Sequence, residues 1–464
     1  MNERLNAWWL GTLSILVALM PLSFSVPFHA KALPSVVLLL VGLGLIFRSP
    51  SIRRDYRRRW PIMAASGLTV LFTVLNILDH RLGAKAGLNA FDLPSHILLF
   101  MATAAVFTLP LRIRWVWIGF SLTAIVLGAS CIWQHFYLRF DRAFGLNGGG
   151  WGAIEFAMVL LVLSLSAWLQ VFYARAGVIE KSLHGMAACF GMYGALLTQS
   201  RGPLLAFAAV LLLLLLLYAK RTRRWWSGFL MLVAILGGAV LASGTVHDFS
   251  HPTPDAAPAA LSATAPVAST SKLPAAAPTT GDPSESGSSP VFVKRFADVG
   301  SEVATYDSKS DARGAVRERL EMWHTAAHAL EAYPLTGVGT DQFGVYIRAQ
   351  VAIGRANAVI AKYNHPHNEY LEAAATGGIP GLLVLLLVFG IPLTYFFRHT
   401  LHAHDSEIIP ASVGLALVSM YVLCALTDNV FYRAMPHSFY FFLVLGLAML
   451  IDRPDSSVET AARD

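Results

Sequence analysis

Twelve apolar runs of about 14 to 21 residues dominate this chain, at roughly 8–27, 33–47, 61–78, 95–110, 115–133, 152–172, 186–199, 203–219, 225–243, 377–397, 409–427 and 437–451. That is the length a helix needs to cross the hydrocarbon core of a bilayer, and well beyond the length of a barrel strand. Leu211 to Leu217 is the purest stretch, seven leucines in succession. Of the 464 residues only 14% are charged and 55% are hydrophobic, whereas a soluble domain carries roughly 25% charge. Such a chain cannot clothe a water-facing exterior. A bilayer removes that need and leaves helices and closed barrels as the spanning structures. The sequence therefore predicts an all-α integral membrane protein with about twelve transmembrane helices. The first run is too long for the core of a signal peptide and lacks a small-residue cleavage site, so it reads as the first span. Cys131, Cys189 and Cys424 fall in or beside apolar runs and read as small packing residues, not as a disulfide framework.

Charge sets the expected direction of the spans. Connections after even-numbered spans hold Arg48, Arg53, Arg54, Arg57, Arg58 and Arg59, then Arg112 and Arg114, Arg175 and Lys181, Lys220, Arg221, Arg223 and Arg224, and Arg398. The opposite short connections hold only Lys31, Arg81, Lys85, Arg139, Arg142, Arg201 and Arg433. Basic loops remain in the cytoplasm. Both termini are thus expected to be cytoplasmic, with odd-to-even connections facing outward. The net charge of +7 follows from this layout and does not argue for a nucleic-acid partner.

The long connection 244–376 divides by composition. Spans one to nine occupy 1–243. Residues 244–310 open an outward loop in which 251–290 is almost wholly Ala, Pro, Ser and Thr, too poor in apolar residues to fold. Residues 311–376 turn helical: Val316, Leu320, Trp323, Ala327 and Leu330 recur at three- and four-residue spacing as one apolar stripe. Pro334 ends that helix, Gly337-Val338-Gly339 makes a tight turn, and a second amphipathic stretch runs over 341–362. A helical cap over the outer mouth of the bundle is expected, followed by the last three spans in 377–451 and a cytoplasmic tail at 452–464.

Four outward groups carry candidate chemistry. Gln199-Ser200-Arg201-Gly202-Pro203 squeezes an arginine between two spans, a placement that favours either function or a snorkelling interfacial anchor. His365-Pro366-His367-Asn368 sets two imidazoles beside an amide; they suit proton sharing, metal binding or a polar surface, although a lone H-x-H lacks the third and fourth ligands of a metal site. Arg319 and Trp323 share a helix face near Arg317. Arg139, Asp141 and Arg142 lie in an aromatic and glycine-rich connection, where an aromatic belt with basic anchors is the plainer reading. No Cys/His cluster and no D-x-D element occurs.

These groups together resemble the O-antigen ligase and polymerase superfamily. The likeness rests on S-R-G at the outer end of a span, on R-L-E-M-W from Arg319 to Trp323 followed by P-L-T-G-V-G, and on H-x-H-N-E-Y-L-E before A-x-x-G-G-I-P-G. The motifs are confined to about 198–205 and 313–382, and their order across a long outward loop is what makes them specific. The overall layout is most similar to the ligase branch. The Ala/Pro-rich insert at 251–290 has no counterpart in that pattern.

The resemblance implies a GT-C-like helical bundle that transfers O-antigen polysaccharide from undecaprenyl diphosphate to a sugar hydroxyl of lipid A–core. A diphosphate leaving group is already a stable anion, so charge stabilisation matters more than protonation. Arginine, permanently charged and able to grip two phosphate oxygens, suits that task. Arg201 leads the candidates, with Arg142, Arg319 and Arg317. The acceptor hydroxyl needs a base, for which His367 is the first choice and His365 the second. Gln199, Arg139, Asn368 and Tyr363 complete the expected sugar and phosphate contacts. Arginines in place of a D-x-D cation imply a metal-independent, inverting displacement without a cofactor. O-antigen polymerases and protein O-oligosaccharyltransferases share these motifs. A lipid-linked glycan transporter is the reading from another class, but the chain shows no internal repeat and its candidate charges sit at span ends rather than at mid-membrane.

Overall fold

The computed structural model describes residues 3–26, 32–146, 152–222, 315–402 and 404–451. Among these, every regular element is helical. In chain order they are α1 (Glu3–Ser25), α2 (Ala32–Arg48), α3 (Pro50–Arg58), α4 (Trp60–Asp79), α5 (Ala84–Ala90), α6 (Asp92–Thr103), α7 (Ile113–Ile132), α8 (Ala153–Tyr173), α9 (Val178–Leu197) and α10 (Arg201–Thr222). After the long connection come α11 (Ala315–Ala332), α12 (Phe343–Ala352), α13 (Glu369–His402), α14 (Ile408–Cys424) and α15 (Ala434–Leu450). Short 3-10 turns at Ala104–Thr108 and Ala358–Lys362 and a π turn at Trp133–Tyr137 extend α6, follow α12 and end α7.

Six of these helices are long and apolar enough to cross a membrane, or eight when each of two bent pairs counts as one span. Among the described residues, the expected twelve spans are thus not confirmed. The apolar helices α14 and α15 are 17 residues each, short for an upright crossing. α9 falls outside that number too, and carries Glu180, Lys181 and His184 in its first two turns. The expected ninth span, 225–243, and the Ala/Pro-rich segment lie outside the described residues. The other expected runs fall largely on helix.

The core lies where apolar character runs right around a helix. α8, α14 and α15 are buried along nearly their whole lengths, as helices surrounded by other helices must be. Without a hydrophobic drive in lipid, close packing holds such a bundle together, and small residues permit it. At the crossing of α7 and α9, a Cβ on Gly128 would sit 2.3 Å from the Phe190 carbonyl oxygen. The α2–α3 bend of 100° comes at Ser49-Pro50, where proline removes a donor and stops the first helix. Arg53 covers the exposed end of α2, donating to the carbonyls of Ile46 and Phe47 at 2.9 Å each. Arg59, read from sequence as one more cytoplasmic charge, is buried and donates to Ala448 and Ile451 at the end of α15.

α13 positions the cap. Its helix breaks at Gly378 (φ 64°), which coincides with the start expected for the tenth span. The break frees backbone groups, and the 334–339 turn takes them up. Val338 and Gly339 donate to the carbonyls of Ala375 and Thr376 at 2.9 and 3.0 Å, and Ile379 donates to Pro334 at 2.8 Å. Asn76 on α4 holds the same turn from the other side, donating to Thr336 and accepting from the Thr340 backbone at 2.7 Å. α11 packs on α13 through Met322, Ala326 and Ala329, which form a small core with Phe343, Ile347, Ile360 and Ala375. The expected stripe is therefore rotated, with Ala327 exposed. Small residues let the two backbones approach, and that outweighs the bulkier Leu and Trp face.

Candidate active site

At one end of the bundle, three turns and a loop converge. The 198–202 turn between α9 and α10 crosses the 427–433 loop between α14 and α15. A Cβ on Gly202 would lie 2.4 Å from Thr427 Oγ1, so glycine in the S-R-G element lets the two segments meet without displacing the Thr427 side chain. The 139–142 connection docks on the same turn. Arg142 donates through Nε to the Thr198 carbonyl at 2.7 Å and through a terminal nitrogen to Ser200 Oγ at 3.2 Å, while the Gln199 amide donates to the Asp141 carbonyl at 2.5 Å. Ser200 Oγ also donates to the Ala153 carbonyl at 3.1 Å, fixing the start of α8. Arg201 begins α10, half-buried, one residue from the Thr427 crossing.

The His365–Asn368 segment meets the other side of the 427–433 loop. His367 Nδ1 is 2.9 Å from Asp428 Oδ1, and the His365 and His367 rings stack edge to face at 4.4 Å. His365 also lies 4.4 Å from the Tyr432 ring. Burial, then the neighbouring His367, pushes the His365 imidazole down to about 4, so it is neutral at ordinary pH. Burial alone would raise Asp428; the hydrogen bond from His367 and the charge behind it win, and hold the carboxyl below its usual range. With Asp428 ionised, the proton between them belongs on His367 Nδ1. Nε2 is then the atom with a lone pair to offer.

Asn368 is occupied by the fold. Its Oδ1 accepts from the backbone of Tyr370 and Leu371 at 3.0 and 3.1 Å, capping α13. Its own backbone donates to Asn429 Oδ1 at 3.0 Å, and its amide donates to the Leu426 carbonyl at 3.2 Å. The cap helix reaches this segment twice: Trp323 Nε1 donates to the Pro366 carbonyl at 2.9 Å, and Tyr363 donates to the Glu318 carboxylate. Burial, and then that carboxylate, raises the Tyr363 phenol. Arg317 and Arg319 flank Glu318 on α11 and are both half-buried.

Backbone strain marks the same places. Among the described residues five non-glycines have positive φ, and three of them are Arg139 (58°), Gln199 (53°) and His367 (51°). A left-handed backbone at such residues persists only where the surroundings enforce it, and it gathers at functional sites.

Sequence reading missed the 427–433 loop. Asp428 is buried at 3% exposure, and Arg433 places its Nε 3.0 Å from Glu155 Oε1 at the start of α8. The signal was present: Asp428 and Arg433 are the only charges from 408 to 451, and an ionisable residue between apolar runs needs a partner. Histidine and carboxylate groups also come together that spacing could not show. His365, His367 and Asp428 form one, and Asp92, His96 and His437 another.

Fold and site define a multi-pass helical membrane protein with paired imidazoles, a carboxylate and arginine-bearing turns at one end of its bundle. Residues 185–386, from α9 into α13, match the family model described as O-antigen ligase, and this match supports membership of an O-antigen ligase-type family. The chain is also similar to an uncharacterized protein of Haemophilus influenzae, 21% identical over 403 residues that cover 85% of this chain and 87% of the relative.

Proposed function

We propose that this chain is an O-antigen ligase, joining polysaccharide carried on undecaprenyl diphosphate to a hydroxyl of lipid A–core at the periplasmic face of the inner membrane. The family match supports the superfamily. The observation that carries the chemistry is the His367–Asp428 pair at 2.9 Å, set beside the loop that the Arg201 turn crosses. Both substrates keep their lipid tails in the membrane and their sugars outside it, so a site at a bundle end, beside the helical cap of α11 and α12, meets the need.

Asp428 orients His367 and stabilises its protonated form as Nε2 takes the acceptor proton. The acceptor oxygen attacks the anomeric carbon of the donor, the bond to the diphosphate breaks with inversion, and the diphosphate leaves as an anion. Arg201 leads in holding it, with Arg142, Arg319 and Arg317 assisting, and Gln199, Arg139 and Tyr363 contact sugar or phosphate. His365 is the poorer base of the two because its depressed basicity weakens its hold on a proton. The transfer runs without a metal ion or cofactor in the reaction itself.

The test is a lipopolysaccharide gel on ligase-deficient cells carrying wild type, His367→Ala, Arg201→Ala or Arg319→Ala at matched membrane levels. Wild type restores the long O-antigen ladder and the variants leave core alone. Altered repeat length, or glycosylated protein in place of a ladder, would instead assign the polymerase or protein-transferase branch.

A further inference from the structure

A second constellation lies outside the proposed reaction. Asp92 and His96 occupy successive turns of α6, and His437 lies in the first turn of α15, 341 residues further along the chain. His437 Nε2 is 3.3 Å from His96 Nδ1 and 3.5 Å from Asp92 Oδ2, and His96 Nδ1 is 3.5 Å from Asp92 Oδ1. A tetrahedral zinc ion holds imidazole nitrogen at about 2.0–2.1 Å and carboxylate oxygen at about 2.0–2.2 Å, which sets neighbouring ligand atoms about 3.3–3.5 Å apart. The two imidazole nitrogens are already at that spacing, and the carboxylate reaches each of them at the same range through a different oxygen.

The surroundings are those of a ligand set. His437 is buried, and its Nδ1 donates to the Phe431 carbonyl at 3.1 Å. That bond fixes the tautomer and leaves the Nε2 lone pair facing His96 and Asp92, as a backbone carbonyl does behind a metal-bound imidazole. His96 Nδ1 also faces the Asp92 carbonyl at 2.9 Å. Its proton rests there in the absence of an ion, and binding of an ion at Nδ1 moves that proton to Nε2. The Asp92 carboxylate is 49% exposed, which gives an entry path and room for water in the fourth position.

We infer that Asp92, His96 and His437 bind one zinc ion, which clamps the start of α6 to the start of α15. The clamp reaches the loop bearing Asp428 and Arg433 through Phe431, whose carbonyl meets His437 and whose amide donates to Glu369 at 3.0 Å. Its task is positional: the ion ties together two helices and takes no part in transfer.

Zinc chloride is the probe, with the full chain in detergent, stripped by chelator and then equilibrated against the ion. Wild type retains one zinc per chain by metal analysis, and cobalt in its place gives the visible absorption of a tetrahedral site. His96→Ala, at a partly exposed position, loses both signals, as does His437→Gln. His365→Ala/His367→Ala keeps both, which separates this site from the other histidine group. Zinc raises the thermal midpoint of wild type and leaves that of His96→Ala unchanged, while the two proteins unfold alike without zinc. No retained zinc in wild type, or full retention in His96→Ala, overturns the assignment.

Discussion

His367 and His365 are two residues apart, yet their surroundings set them to different tasks. His367 faces a buried carboxylate, whereas His365 is desolvated beside another imidazole and near Arg433, and is held neutral. The protonation of His365 links to stability in a defined direction. Its folded value of about 4 lies below the ordinary 6.5, so the unfolded chain binds the extra proton between those values. Stability from this group is intact above about pH 6.5 and declines as pH falls toward 4. His365→Gln is predicted to flatten the thermal midpoint across that window, as read by unfolding scans in detergent at stepped pH. Asp428→Asn is predicted to keep the fold and lower the transfer rate about 100-fold or more, the scale of a lost acid–base contribution. The two histidines were legible in the sequence because a short motif carries them. Their difference was not, because it comes from Asp428 and Tyr432, more than sixty residues on.

The helices with clear punctuation were legible as elements: Pro334 ends α11, and Gly337 and Gly339 turn the chain with φ of 64° and 101°. The buried face of α11 was not, because Met322, Ala326 and Ala329 give a weak apolar signal and still win by allowing close approach. The Gly378 break is visible as G-G-I-P-G, but its purpose lies in the turn that fills it. A Cβ there would meet the Pro334 carbonyl oxygen at 2.5 Å, on a backbone that side chains resist. Gly378→Ala is predicted to destabilise the cap–bundle junction by about 1–3 kcal/mol, seen as a lowered thermal midpoint and faster proteolysis after Pro334. Gly202→Val carries a second steric penalty, at Thr427. It is predicted to reduce activity by displacing Arg201 even where the protein is made in full amount.

For the whole molecule, the membrane class follows from bulk composition, which is why it was legible first. The twelve expected crossings are not confirmed among the described residues, because α2–α3 and α5–α6 bend and α14 and α15 are short. Orientation is a prediction from loop charge: in a chain whose own cysteines are replaced, Arg355→Cys reacts with an impermeant maleimide from outside, and Arg221→Cys reacts only after permeabilisation. The organising claim remains that one end of the bundle is a transferase site with His367 as base, held by Asp428. Its most direct measurement is the rate of polysaccharide transfer from lipid-linked donor to lipid A–core by purified wild type, His367→Gln and Asp428→Asn. The account predicts measurable transfer by wild type and a loss of about 100-fold or more in both variants, with all three proteins equally folded. Variants as fast as wild type would contradict it.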